Sequence, residues 1–157
     1  PGYNVRPTDI QAAIALNQFK RLNEFIKIRN TNRNKIINFL KIDNKWNNQF
    51  SFVKVDIKTK PSWFGLPILI NKRYAHIKKE FLNQLSKKGI ENRPIISGNF
   101  LNQPASKFFK FSSSKKDFKN ADEIENRGFF IGLHTKNLKQ SELKFISNCL
   151  LDIDKFI

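Results

Sequence analysis

The sequence predicts an α+β domain hung on a long N-terminal helix. Apolar residues recur every three or four positions from about Asp9 to Leu40, which gives the helix. Four short apolar or alternating runs after it have the length of strands, and helical patterns separate or follow them. The resulting order is helix, β-β-α-β, loop, short helix, β-α, which is neither a strict β/α alternation nor an all-helical pattern.

The helix has a defined start. Thr8 can accept the first free backbone N–H groups and Gln11, three residues on, can reach back to complete a capping box. Pro7 prevents an earlier start, so Pro1–Asn17 reads as an irregular turn that holds Asn4 and Arg6 at the mouth of a helix. Ile10, Ala13, Ile14, Leu16, Phe19, Leu22, Phe25 and Ile26 form the stripe. It thins through Asn30–Asn34 (NTNRN) and resumes at Ile36, Ile37 and Leu40, which predicts a bend or an exposed middle. The small residues Ala12 and Ala13 allow a neighbouring backbone to approach closely.

Asp43–Gln49 is a polar loop. Phe50–Ile57 alternates as a strand, and Trp63–Ile70 is a second, more buried one in which Pro67 predicts a sheet edge or a bulge. Tyr74–Lys88 has helical spacing and stops at Gly89. Ile90–Ile96 is a short strand interrupted by Pro94, Ser97–Pro104 is a loop, and Phe108–Lys119 is a basic loop. Asn120 is expected to cap a short helix through Arg127, closed by Gly128. Phe129–Leu133 is then a strand and Leu138–Phe156 the closing helix.

The chain has 157 residues, enough for one domain with a sizeable core. It has no methionine and begins in PGYNV, so it reads as a fragment whose N-terminal part is missing. No apolar run is long enough to span a bilayer and no signal peptide is visible, so no membrane partner is expected; one cysteine excludes structural disulfides within the fragment, which fits a reducing cytoplasm. The single cysteine, Cys149, sits in an apolar helical pattern and reads as a core thiol. A net charge of +16 suggests anionic partners. The lysines, however, are dispersed among Asn, Ile and Phe without a reading motif, so they describe a solvated surface and no nucleic-acid partner is expected.

Chemistry-bearing patterns are sparse. His76 and His134 have no second ligand at zinc spacing, and no GxGxxG, Walker, GxSxG or HExxH pattern occurs. The polar residues that stand out lie in loops beside glycine or proline: Asn4, Arg6, Arg93, Asn99 and His134.

The stretch GYNVRPTDIQAAIALNQFKRLNEFI resembles the segment after the cofactor-lysine region of DegT/DnrJ/StrS-type sugar aminotransferases. SWFGLPILI, KKGIENRPIISGNFLNQPA and NADEIENRGFFIGLH follow in family order. The resemblance implies a fragment of an α/β pyridoxal phosphate enzyme of fold type I. Residues 1–40 would end the large cofactor-binding domain and form the connecting helix, and 41–157 would be the small C-terminal α+β domain. Ser62-Trp63-Phe64-Gly65 and Ile95–Phe100 are similar to the branch of 3-dehydratases acting on nucleotide-linked 4-keto-6-deoxyhexoses. Arg6-Pro7 and the GNF triplet resemble the GDP-sugar type, whereas Thr8–Ala12 and Leu101–Pro104 resemble the CDP-sugar type and the aminotransferases. Both nucleotides therefore stay open.

The resemblance further implies a homodimer with shared active sites and pyridoxal or pyridoxamine 5′-phosphate as cofactor. A nucleotide sugar would be the substrate and glutamate the amino donor. Asn4 would donate to the cofactor phosphate of the partner subunit, and Arg6 would meet the incoming sugar nucleotide. Arg93, Asn99 and His134 would face the same cleft, with Trp63 and Phe64 lining the sugar pocket. The implied function is a 3-dehydratase of deoxysugar and lipopolysaccharide O-antigen synthesis, with a sugar-nucleotide aminotransferase as the alternative. A histidine or a lysine at the cofactor-anchoring position distinguishes the two, and that position lies upstream of Pro1. A basic nucleic-acid module is the remaining, non-enzymatic alternative.

Overall fold

Thr8 opens α1 (Asp9–Lys20) as its sequence context requires. Thr8 Oγ1 accepts the Gln11 N–H at 3.4 Å and Gln11 Oε1 accepts the Thr8 N–H at 2.9 Å, the two halves of a capping box. The computed structural model describes residues 7–157. Within them no residue of α1 is buried, and Ile10, Ile14, Leu16 and Phe19 are all more than half exposed. A second helix, α2 (Leu22–Ile42), starts after one turn residue, Arg21. The long helix therefore breaks at Arg21 and not at NTNRN. Asn32 and Arg33 in that polar stretch are buried and hydrogen-bonded, so the expected weak middle is anchored instead.

The strands form one antiparallel sheet in the order β1 (Phe50–Phe52), β2 (Gly65–Ile70), β4 (Gly128–Gly132), β3 (Asn92–Arg93). The register sets Leu66 opposite Ile131 and Ile68 opposite Phe129, so these four share one face. That face meets Ile36, Ile37 and Leu40 of α2 in a single apolar cluster. Phe81 and Leu85 of α3 (Lys78–Lys87) and Leu143 and Leu150 of α5 (Gln140–Leu151) complete it. Each such buried side chain contributes about 1.5–3 kcal/mol relative to exposure.

Pro67 lies in a central strand, not at the sheet edge that its residue type predicts. The ladder explains how it is tolerated. Phe64 and Leu133 are joined by a backbone hydrogen bond, so Leu66 and Ile68 bond toward β4 while Pro67 turns its nitrogen toward β1. The β1–β2 pairing stops at Phe52 opposite Ile68, one residue before Pro67 would have to donate. This is why the expected strand Phe50–Ile57 is only three residues long. The carbonyl of Val53, which would have faced Pro67, accepts instead from Arg33 Nη2 at 2.6 Å.

β3 is also shorter than expected, for a different reason. Arg93 is the residue that bonds to Phe130, so the Pro94 nitrogen faces the open sheet edge where no N–H is needed; the chain leaves extended backbone at Ile96, whose φ is +42°, and the expected strand Ile90–Ile96 reduces to two residues. A 3₁₀ turn, Lys72–Ile77, leads into α3, which ends in a Schellman motif. Ile90 N–H bonds to Leu85 O and Gly89 N–H to Ser86 O, both at 2.9 Å, with Gly89 at a φ of +81° that favours glycine. The loop after β3 contains short 3₁₀ turns at Phe100–Asn102 and Pro104–Phe108. A fourth helix, α4 (Lys119–Arg127), begins one residue before the expected cap Asn120, with Phe118 as its N-cap. Gly128 closes α4 and opens β4 in extended backbone. α5 starts at Gln140 rather than Leu138, with Lys139 in extended backbone as its N-cap and its N–H donating to Glu142 Oε2 at 2.6 Å, and it runs into a final 3₁₀ turn, Asp152–Phe156. Cys149 is buried, as expected of a core thiol, and burial pushes its thiol pKa up. Among the described residues no helix is long and apolar enough to cross a membrane.

The C-terminal turn is fixed by a polar contact in the core. Asp154 accepts from the Tyr74 hydroxyl and, at 2.7 Å, from Gln49 Nε2, and both donors are almost fully buried. Burial first, then the Asp154 carboxylate, pushes the Tyr74 phenol up to about 12. A folded-state value above the unfolded one of about 10 gives stability that is complete below pH ~10 and lost as pH rises through ~12. That difference corresponds to roughly 2–3 kcal/mol. Unfolding free energy measured from pH 9 to 12 should fall more steeply in the wild type than in Tyr74→Phe; parallel curves would remove Tyr74 as a source of the alkaline instability.

Candidate functional site

The expected site residues fall into three places. Asn4 and Arg6 lie outside the described residues. Trp63 packs half-buried against the core with the Arg33 guanidinium 4.7 Å from its ring centroid, so α2 covers it. Asn99 is 2% exposed and fully occupied within the chain. Its Nδ2 donates to Asp122 Oδ1 at 2.7 Å, its Oδ1 accepts the Leu101 N–H at 3.0 Å, and its own N–H donates to Glu125 Oε2 at 2.9 Å. The GNF loop is thereby clamped to α4. Gly98 makes this possible: its φ is +61° and a Cβ there would meet the Glu125 side chain at 2.7 Å.

Phe64, Arg93 and His134 come together. Phe64 precedes β2, Arg93 ends β3 and His134 follows β4, and the antiparallel order brings all three to the Gly132 end of β4. Phe64 and His134 line a groove of about 630 Å³. Its other walls are Glu91 and the first turns of α5, including Ser141 and Phe145. A smaller recess shares Phe64, Glu91 and Gly132 and adds Arg93 and Phe130. The Phe64 ring stands edge-on to Phe130 with centroids 5.2 Å apart, a firm apolar wall beside the polar groups.

The polar groups have defined states. Arg93 Nη2 pairs with Glu91 Oε1 at 2.5 Å, both largely exposed. Such a pair contributes little to stability, so its members are free to exchange one another for a ligand. His134 Nδ1 accepts the Lys136 N–H at 3.0 Å. The neutral imidazole therefore carries its proton on Nε2, which gives the ring one outward donor.

Asn32 holds this end of the groove in place, and the apolar pattern gave it no role. Its Nδ2 donates to the carbonyls of His134 (3.1 Å) and Lys136 (2.8 Å), and its Oδ1 accepts from the Leu138 N–H (3.1 Å). The signal was its phase: Asn32 lies on the same helical face as Phe25, Ile36 and Leu40, where an apolar residue belongs. Glu91 also lines the groove and is not among the residues that the motifs single out.

Residues 1–150 match the model of the DegT/DnrJ/EryC1/StrS aminotransferase family. The chain belongs to this family. It is 35% identical over 136 residues to a GDP-4-keto-6-deoxy-D-mannose 3-dehydratase of Escherichia coli O55:H7, covering 85% of this chain and 33% of that protein. A protein of the same description from Yersinia pseudotuberculosis is 32% identical, over 96% of this chain and 36% of that one. The structure of the E. coli GDP-4-keto-6-deoxy-D-mannose-3-dehydratase with bound hydrated PLP superposes with a TM-score of 0.80 at 32% identity. That match covers 96% of this chain and 37% of the other. The chain thus spans about a third of the length of these relatives, and its fold is that of the corresponding part of such an enzyme.

The groove's position depends on a buried amide, which makes a direct test possible. Asn32→Ala leaves two carbonyls and one N–H without partners and should cost about 2–4 kcal/mol in urea unfolding. Lys35→Ala, on the exposed side of α2, should change stability by less than about 0.5 kcal/mol. Equal effects would show that Asn32 is not an anchor.

Proposed function

We propose that this chain is part of a pyridoxal phosphate-dependent 3-dehydratase acting on a nucleotide-linked 4-keto-6-deoxyhexose. The likeness to GDP-4-keto-6-deoxy-D-mannose 3-dehydratases supports this reading and favours a GDP-sugar. The single observation on which it rests is that Phe64, Arg93 and His134, from three separate sequence motifs, lie at one end of β4, Phe64 and His134 on the groove and Arg93 on the recess that shares Phe64 with it. In this reading residues 1–40 end the cofactor-binding domain and 41–157 form the small domain that covers the sugar. The enzyme is cytoplasmic and works in deoxysugar or O-antigen synthesis.

The groove's donor set suits such a substrate. His134 Nε2–H donates to a sugar hydroxyl or phosphate oxygen, and the Arg93 fork can leave Glu91 for a carboxylate or phosphate. Phe64 and Phe130 present an apolar wall for the 6-deoxy methyl group and keep water from that side of the sugar. When bound, pyridoxal phosphate supplies the electron sink for loss of the 3-hydroxyl, with nitrogen from glutamate. In a homodimer, Asn4 offers its amide to the cofactor phosphate in the partner's site and Arg6 its fork to the substrate diphosphate. Trp63 acts indirectly, packed against the core next to Phe64, and Asn99 by fixing the GNF loop to α4.

The complete protein, supplied with pyridoxal phosphate, glutamate and GDP-4-keto-6-deoxymannose, should yield a 3-deoxy sugar, read by mass spectrometry. A stable 4-amino sugar as the only product would make it an aminotransferase. His134→Phe should lower kcat/KM by roughly 10–100-fold, the loss of one substrate hydrogen bond, with the cofactor absorbance unchanged. An unaltered kcat/KM would remove His134 from the substrate site.

A further inference from the structure

A second groove, of about 1080 Å³, lies between α2 and the segment 46–61 and shares no lining residue with the groove of His134. Its charged lining has one sign only. Arg33, Lys41, Lys54 and Lys60 contribute, with Asn34 and Asn38 beside them and no carboxylate.

Arg33 is the unusual member. The residue is 9% exposed and its guanidinium lies against the ring of Trp63. Nη2 donates to Val53 O at 2.6 Å and Nη1 to Asn34 Oδ1 at 3.1 Å, but Nε is buried with no partner. Among the described residues it belongs to none of the ion pairs. A buried cation without an anion is costly, and chains normally supply a carboxylate to such a group. Here the surroundings supply three more cations. The complement that fits is an external anion of high charge density, and a guanidinium fork matches phosphate oxygens.

The groove is larger than one anion requires. Trp46 and Phe52 also line it, stacked with centroids 6.3 Å apart at 16°. They give an apolar platform beside the cations.

We infer that this groove binds a phosphate-bearing small molecule, its phosphate held by Arg33 with Lys54 and Lys60 and its apolar or ring-shaped body on Trp46 and Phe52. The site is independent of the sugar groove and of the reaction proposed for it.

Calorimetric titration of the full chain with phenyl phosphate, and separately with inorganic phosphate, tests this at constant ionic strength. Phenyl phosphate should bind saturably and more tightly than inorganic phosphate. Arg33→Gln keeps a donor for the Val53 carbonyl but removes the charge, and should weaken binding on the order of tenfold or more. His134→Phe should leave the affinity unchanged, which separates this groove from the sugar site. Should Arg33→Gln fail to fold, the paired exposed variants Lys54→Gln and Lys60→Gln decide, with several-fold weaker binding expected. No saturable binding, equal affinity in these variants, or equal affinity for both phosphates would overturn the assignment.

Discussion

The side-chain amide of Asn32 is the contact on which the arrangement of this domain most depends. It sits in the apolar stripe of α2, fully buried, and uses both donors and its acceptor on the stretch between β4 and α5. That stretch has no sheet or helix ladder of its own, so its backbone groups need partners from elsewhere. One side chain supplies three of them. The consequence is geometric: the carbonyl of His134 and the first residues before α5 are referenced to the same helix that packs on the sheet. An isoleucine at position 32 would continue the stripe but leave those groups unsatisfied in the core.

Pro67 imposes the second constraint. A proline in a central strand is compatible with the sheet only if the neighbour on its nitrogen side has ended, and β1 ends one residue short of it. The chain after Phe52 is then released from the sheet and turns along α2, where Val53 finds Arg33. The missing N–H of Pro67 thus shortens a strand and creates the wall of a groove. Arg33 also covers Trp63, and that ring does not line the groove of His134.

Much of this was legible in the sequence, and the failures have physical causes. The Thr8–Gln11 cap, the Gly89 stop, the core helices and the order of strands follow from local rules that tertiary contacts did not override. The bend lies at Arg21 because the polar run is not exposed; burial of Asn32 and Arg33 depends on loops about 20 and 100 residues away, which no local window of sequence contains. β1 is shorter than its alternation predicts because Pro67 on the neighbouring strand removes a donor, and β3 because the backbone leaves the extended region at Ile96. Of the candidate residues, Phe64, Arg93 and His134 gathered because their motifs flank strands that pair. Asn99 did not, because its side-chain amide is held by Asp122 and Leu101 and its backbone N–H by Glu125, within its own loop and α4. Loop position identified polar residues without distinguishing those that face outward from those that hold the loop.

Asn32 and Arg33 are consecutive, about 100° apart on one helix, and so serve different faces. The polar break in the stripe is therefore two devices. Asn32 is neutral, and its amide matches the count of groups it must satisfy. Arg33 exceeds its task. Val53 needs one donor, which a glutamine would provide without a charge to desolvate, and the Trp63 ring would accept any flat group against it. What the arginine adds is a full positive charge, held below its ordinary pKa by burial yet still cationic, and a third donor direction with no occupant. Structural necessity accounts for a polar residue at this position. It does not account for the charge, and the charge lies where Lys41, Lys54 and Lys60 reinforce it.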